Sequence, residues 1–289
     1  MLTYNIAITI DDNYLQHACV MLKSLAANTP LKITVYCIFD NLSNKNHSVL
    51  SKAFAGSTIN IVLIKFDDSV LPQLPIKPND HVSAAAFFRI WLPQILSHIK
   101  QVVFLDTDMV INGDISGLFN LNITDYPLAA VEDLGMNDSK KATLGMSAGK
   151  KYFNSGVMVM NLEYFRQHKL TDKLAHFISS SSHLCEFWDQ DAFNAIVNGY
   201  FYSLPFQYNV QSVFYSLQSD TRLTDAIHSP LIVHYTGGGN YKPWYYHNRH
   251  PLKMLYYKYL KQTQFWLYYP PDLPRSWFIF RKLKFMFFK

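Results

Sequence analysis

VVFLDTDMVI, residues 102–111, is an apolar run that stops on two carboxylates, Asp106 and Asp108, one residue apart. The near-continuous apolar stretch Val102, Val103, Phe104, Leu105 predicts a strand covered on both faces, because a half-solvated strand alternates apolar and polar residues. Ligands of such sheets bind beyond the carboxyl ends of the strands. Side chains one residue apart point to opposite faces of a strand, so both carboxylates serve one ion only where the chain turns. Asp106-Thr107-Asp108 is therefore expected at a strand-to-loop transition. Its oxygens suit Mn2+ or Mg2+, ions that also take phosphate oxygens and are seldom caged by protein alone.

Three readings fit this motif. The carboxylates end a strand and start a turn; or Asp106 attacks phosphate as the nucleophile of a phosphohydrolase with Asp108 as its acid; or the pair holds a metal on the pyrophosphate of a nucleotide sugar. Phosphohydrolases of that type open their domain with the motif, whereas here residues 1–101 precede it. Those residues already alternate strand and helix. Residues 5–10, 32–39 and 59–64 read as strands, and 14–27 and 43–55 as helices with apolar spacing of three and four. Residues 81–96 read as a helix carrying Arg89. Such alternation predicts a parallel sheet with crossover helices, a nucleotide-binding half-fold. No GxGxxG loop is present, so a metal is the obvious substitute for holding pyrophosphate. Further strands are expected at 128–132, 156–162 and 231–235, helices at 170–180 and 189–197, and a long polar loop at 133–151.

A chain of 289 residues accommodates one large domain, or one with an appendage. Only 16% of residues are charged and 16% are aromatic, a balance that excludes a disordered chain. Cys19, Cys37 and Cys185 are odd in number and lack CxxC spacing, so neither a disulfide framework nor a zinc site is expected, and a reducing compartment is. The N-terminus lacks the basic start and apolar core of a signal peptide, and no apolar stretch reaches the roughly 18–20 residues that span a bilayer. A cytoplasmic protein, or one bound to the membrane from that side, is expected. After Pro251 the character changes, which divides the chain into a catalytic region, 1–250, and a helical segment, 251–289. Its end, RSWFIFRKLKFMFFK, holds Arg275, Arg281, Lys282, Lys284 and Lys289 among six aromatics and no acid. That tail suits either docking of an aromatic helix face on the core or the interface of an anionic membrane. A formal net charge of only +5, concentrated in one tail, argues against nucleic acid.

Four segments join the Asp pair. Asp11-Asp12-Asn13 ends the first strand, where Asn13 alone would suffice as a helix N-cap. YFNSGVMVMNL, residues 152–162, puts Asn154 beside Ser155 and Gly156, small enough for close approach to a ligand. WDQDAFN offers Asp189, Gln190 and Asp191, more than a cap requires. HYTGGGNYKPW sets His234 and Lys242 around a glycine loop that suits a metal and phosphates.

From Tyr4 to about Trp244 these segments, in order and spacing, resemble glycosyltransferase family 8, retaining enzymes with a GT-A fold. Within it the chain looks most like bacterial lipopolysaccharide galactosyl- and glucosyltransferases. The resemblance implies a Rossmann-like, mixed central sheet; a UDP-sugar donor, UDP-galactose or UDP-glucose; Mn2+; and an oligosaccharide or lipooligosaccharide acceptor. It implies that Asp106 and Asp108 bind the metal with His234, and that Asp11 and Asn13 contact the uridine end, with Thr9, Thr107 and Gly237 also in the donor pocket. Arg89 and Lys242 would hold donor phosphate or sugar, Asn154 and Asp189 would grip sugar hydroxyls, and Gln190 would sit beneath the anomeric carbon, making Gln190, Asp189 and Asn154 the catalytic set. The interval from His234 to Lys242 is longer than the family's commonest. A noncatalytic protein docked peripherally on a membrane is the remaining alternative.

Overall fold

The computed structural model describes residues 4–67, 69, 71 and 84–273. The chain opens with β1 (Tyr4–Thr9), α1 (Leu15–Asn28), β2 (Ile33–Phe39), α2 (Asn44–Ala53) and β3 (Ile59–Lys65), and β4 (Gln101–Leu105) follows. β1 pairs in parallel with β2 and with β4, and β2 with β3. The sheet becomes mixed beyond β4. After the short β5 (Met109–Ile111) come β6 (Leu128–Glu132), β7 (Phe153–Asn161) and β8 (Tyr202–Ser203). β7 runs antiparallel to both β4 and β6, completing seven strands in the order β3-β2-β1-β4-β7-β6-β8.

Burial on both faces follows from composition. Val102, Val103, Phe104 and Leu105 are each no more than 1% exposed, and they alternate between two cores. Val103 and Leu105 join the α1 side with Ile6, Ile8 and Leu22. Val102 and Phe104 join the other side with Phe87, Phe88 and Met158. Each buried side chain of this size contributes about 1.5–3 kcal/mol of transfer free energy.

A second sheet, β5-β10-β9, is formed by β5 with β9 (Val210–Gln211) and β10 (Ile232–His234). β5 is held from outside by α1. The Ser24 hydroxyl, fully buried, accepts from the Ile111 amide at 2.9 Å and donates to the Met21 carbonyl. Thus a helix of the first half anchors the strand that follows Asp108.

The structure departs from the sequence reading in several places. The helix expected at 81–96 is a tight 3-10 stretch, Ala84–Trp91, followed by α3 (Leu92–Ile95); residues 81–83 lie outside the described residues. Pro93 sits in the first turn of α3, where its missing N–H prevents one continuous α-helix. The loop expected at 133–151 contains α4 (Asp138–Thr143), capped by Asn137 accepting from the Lys140 amide. β7 begins at Phe153, earlier than expected, and leads into α5 (Leu162–Gln167) and α6 (Leu170–Ser181). α7 (Trp188–Val197) and α8 (Thr224–His228) complete that half. In the segment expected to be helical from residue 251, α9 (Lys253–Leu260) shares a core with Val20, Val110, Val233 and Trp244. The Tyr256 hydroxyl on α9 also meets Gln16 Nε2 at 2.9 Å and His17 Nδ1 at 2.7 Å on α1. The basic aromatic tail, 275–289, lies outside the described residues.

Replacing Ser24 with Ala removes the acceptor of a buried amide at little cost in volume. A loss of about 1–3 kcal/mol is expected, read as a lowered urea midpoint; an unchanged midpoint would show that the clamp contributes nothing.

Candidate functional site

Where β4 leaves the large sheet and β5 enters the small one, the chain turns at Asp106-Thr107-Asp108. The junction is tied on both sides: the Asp106 amide donates to the Gly156 carbonyl of β7 at 2.8 Å, and the Tyr235 amide donates to the Asp108 carbonyl at 3.1 Å. In the small sheet His234 is in register with Met109. The imidazole is thereby delivered to the two carboxylates. His234 Nε2 lies 3.1 Å from Asp108 Oδ1 and 3.8 Å from Asp106 Oδ2, and one ligand atom from each residue falls within 4.8 Å of the others. Two carboxylates and an imidazole form a donor set suited to a divalent cation.

The hydrogen bonds around His234 test that fit. The Gly156 amide donates to Asn154 Oδ1 at 3.1 Å, Asn209 Nδ2 donates to the same oxygen at 2.9 Å, and Asn209 Oδ1 meets His234 Nδ1 at 2.9 Å. An amide oxygen only accepts, so Nδ1 carries the proton. Nε2 then turns toward two carboxylates, a meeting that only a cation or a second proton makes favourable. This is how metal-binding histidines are oriented by their surroundings.

Around this centre opens a cleft of about 660 Å³, of the size that takes a small-molecule ligand. Thr9, Asp11, Arg89, Thr107, Asn154, Asp189, Gln190, Gly237 and Lys242 line it together with the metal-type cluster. Gly237 has φ +89°, a conformation that favours glycine. Despite the longer interval from His234, the Lys242 ammonium contacts Asp108 Oδ2. Burial by itself would raise the Asp108 carboxyl, but the Lys242 ammonium and then His234 outweigh it and hold it well below the usual carboxylate range.

Asn13 is the exception among the expected residues. It is exposed and lies outside the lining of the cleft. It does not cap α1 with its side chain either: Asp11 Oδ1 accepts from the Asn13 and Tyr14 amides, each at 2.9 Å. Arg89 lines the cleft and is also bonded to the protein. Only 4% exposed, it spends its guanidinium on the protein: NH2 pairs with Asp106 Oδ1 at 3.0 Å, NH1 donates to the Ser155 carbonyl at 3.0 Å and Nε donates to the Ala86 carbonyl at 2.9 Å. It acts as a strut beneath the acids. Its Nε is also 3.0 Å from Asp189 Oδ2, but the N–H points at Ala86, so that buried oxygen gains charge compensation without a hydrogen bond. Burial is the main reason the Asp189 carboxyl is pushed up to about 7, with Arg89 opposing and Asp106 assisting.

Gln190 is oriented by three neighbours. Its Oε1 accepts from the Ser155 amide at 3.0 Å, and its Nε2 donates to Asp133 Oδ2 and to the Tyr152 hydroxyl, both at 3.3 Å. Trp188, just before the pair, takes φ +49°, rare for a bulky residue and typical of strain near functional sites. Asp191 turns away into a structural network with Tyr152 and Lys140. Sequence reasoning did not single out Asp133, Tyr152 or Asn209. Asp133 had a signal, since it closes the apolar strand LAAVE much as Asp106 closes its own. Burial also raises the Asp133 carboxyl.

Gly156 faces the cluster so closely that a Cβ there would lie 2.8 Å from both Asp106 Oδ2 and His234 Nδ1. Gly156→Ala is expected to leave the chain folded but to displace the imidazole, abolishing most divalent-cation binding in a calorimetric titration. Wild-type affinity in that variant would contradict the tight geometry.

The comparisons with known proteins fit this arrangement. The sequence profile of glycosyl transferase family 8 matches residues 5–248. General stress protein A of Bacillus subtilis (strain 168) is 30% identical over 88% of this chain and 92% of its own length. A lipopolysaccharide 1,2-glucosyltransferase of Escherichia coli (strain K12) is 29% identical over 94% of this chain and 80% of its own. Among solved structures, galactosyltransferase LgtC in complex with donor and acceptor sugar analogs superposes with a TM-score of 0.78 at 22% identity, covering 94% of this chain and 98% of that one. The mixed sheet is thus that of the GT-A glycosyltransferases.

Proposed function

The chain belongs to glycosyl transferase family 8 and is a glycosyltransferase, and from that premise we propose a retaining, UDP-sugar-dependent hexosyltransferase that moves galactose or glucose onto a lipopolysaccharide or lipooligosaccharide acceptor. The observation that carries this reading is the convergence of Asp106, Asp108 and Nε2 of His234 within the cleft. The acceptor class rests on the relative of Escherichia coli, whose name specifies lipopolysaccharide glucosylation.

Asp106, Asp108 and His234 would hold Mn2+, with Mg2+ as substitute. When bound, the ion supplies positive charge to the pyrophosphate as the sugar–phosphate bond breaks. Lys242 adds a second cation for the departing diphosphate. Asn154 and Asp189 grip sugar hydroxyls, and Gln190 lies beneath the anomeric carbon. An amide is a poor nucleophile, and one oxygen of Asp189 already faces the Arg89 guanidinium. Retention is then best served by acceptor attack on the face from which UDP leaves, a UDP oxygen taking the acceptor's proton.

The test is UDP release from UDP-galactose, UDP-glucose and UDP-N-acetylglucosamine with Mn2+. One of the two hexoses is expected to be favoured, and Asp106→Ala and Asp108→Ala to lower turnover by about 100-fold or more. Undiminished release in both variants, or phosphomonoester hydrolysis indifferent to uridine, would refute the assignment.

We also propose peripheral attachment at the inner face of the cytoplasmic membrane. Supporting it are the cationic aromatic tail and the exposed side chains Met254, Trp266 and Leu267 that precede it; among the described residues no helix is long and apolar enough to cross a membrane. Deleting residues 275–289 is expected to abolish sedimentation with anionic liposomes while leaving hydrolysis of UDP-sugar intact. Equal sedimentation of both proteins would overturn the proposal.

A further inference from the structure

We propose that Asn209 is a positioning residue that couples the metal-binding imidazole to the sugar-gripping amide, fixing the orientation of His234 and Asn154 through one side chain. The inference rests on the reading of Asp106, Asp108 and His234 as the metal site, and adds to it a residue that touches neither metal nor cleft. Asn209 is fully buried and does not line the cleft. It follows the short helical turn Phe206–Tyr208 and precedes β9, the strand beside β10.

The reasoning starts from a group that only donates. The backbone N–H of Gly156 fixes the Asn154 atom it meets as Oδ1. Asn209 therefore presents Nδ2 to that oxygen and turns Oδ1 toward His234, which places a proton on Nδ1 and makes Nε2 the ring nitrogen that faces the carboxylates. The far end of Asn154 agrees: its Nδ2 donates to Asp133 Oδ2 at 3.4 Å, and Gln190 Nε2 donates to the same oxygen. The orientation is thus over-determined from one side of the site to the other.

Removal of the Asn209 amide has two consequences. His234 Nδ1 loses its acceptor, so the proton is free to move to Nε2, where it bonds to Asp108 Oδ1 and competes with the cation. Asn154 Oδ1 loses one of its two donors, which loosens the group facing the sugar. Asn209→Asp separates these effects, because a carboxylate still accepts from Nδ1–H but has nothing to donate to Asn154.

The experiment is titration of the purified full chain with Mn2+ alone, following free Mn2+ by electron paramagnetic resonance, then measurement of KM and kcat for UDP release at saturating Mn2+. Asn209→Ala is expected to weaken Mn2+ binding by about 10–100-fold. Asn209→Asp should keep Mn2+ binding within a few-fold of the unsubstituted chain while raising the donor KM. Unchanged Mn2+ affinity in Asn209→Ala overturns this inference alone, and absence of Mn2+ binding by the unsubstituted chain overturns the metal reading with it. Should the Ala variant fail to fold, as judged by its urea midpoint, the Asp variant decides: loss of Mn2+ affinity there refutes the coupling, and retention with an impaired donor KM supports it.

Discussion

The Gly156 amide meets Asn154 Oδ1 at 3.1 Å, and because a backbone N–H only donates, that contact dictates which way the neighbouring amides face. Asn209 must answer with its nitrogen, His234 with its Nδ1 proton, and Nε2 is aimed at Asp106 and Asp108. Nothing in this series relies on a mobile side chain choosing among equal rotamers. Leaving buried amides unpaired costs about 1–3 kcal/mol each, so alternative orientations are excluded energetically as well as geometrically. The same glycine has no room for a Cβ, which makes backbone and centre a single unit.

The fold delivers these groups from distant parts of the sequence. β4 and β5 belong to different sheets, and the three residues between them form the joint. β7 runs antiparallel to β4, which brings Gly156 opposite Asp106, while β10 runs antiparallel to β5 and sets His234 beside Asp108. Arg89 fills the space beneath, stacked on Phe104 with its charged carbon 4.4 Å from the ring centroid and paired with Asp106. Without that guanidinium, Asp106 and Asp189 would be two carboxylates in a poorly solvated place.

Much of this was legible in the residues themselves. An apolar run ending on two acids identified β4 and its turn, because burial on both faces leaves a continuous hydrophobic signature. The strand ending at His234 carried the same signature on a smaller scale. Other features left no local trace. Asn209 lies in PFQYNVQS, a segment without periodicity, and its importance comes from a register between strands that no window of sequence contains. The alternative role of Asn13 as a helix cap is taken by Asp11, which accepts the amides instead. The helix carrying Arg89 was visible as an apolar stretch, but its change of winding reflects Pro93. Asp191 is next to Asp189 and Gln190 in sequence, but the helical turn rotates it away from the cleft to Lys140 and to the hydroxyl of Tyr152, which Gln190 also meets.

Anomalous diffraction at the manganese edge, from crystals of the full chain grown with Mn2+ and UDP, tests the central claim most directly. One strong peak within direct coordination distance of Asp106, Asp108 and His234 Nε2 is expected, with Nδ1 of the same ring still on Asn209. A peak elsewhere in the cleft, or one bound to the carboxylates with the imidazole turned away, would contradict it.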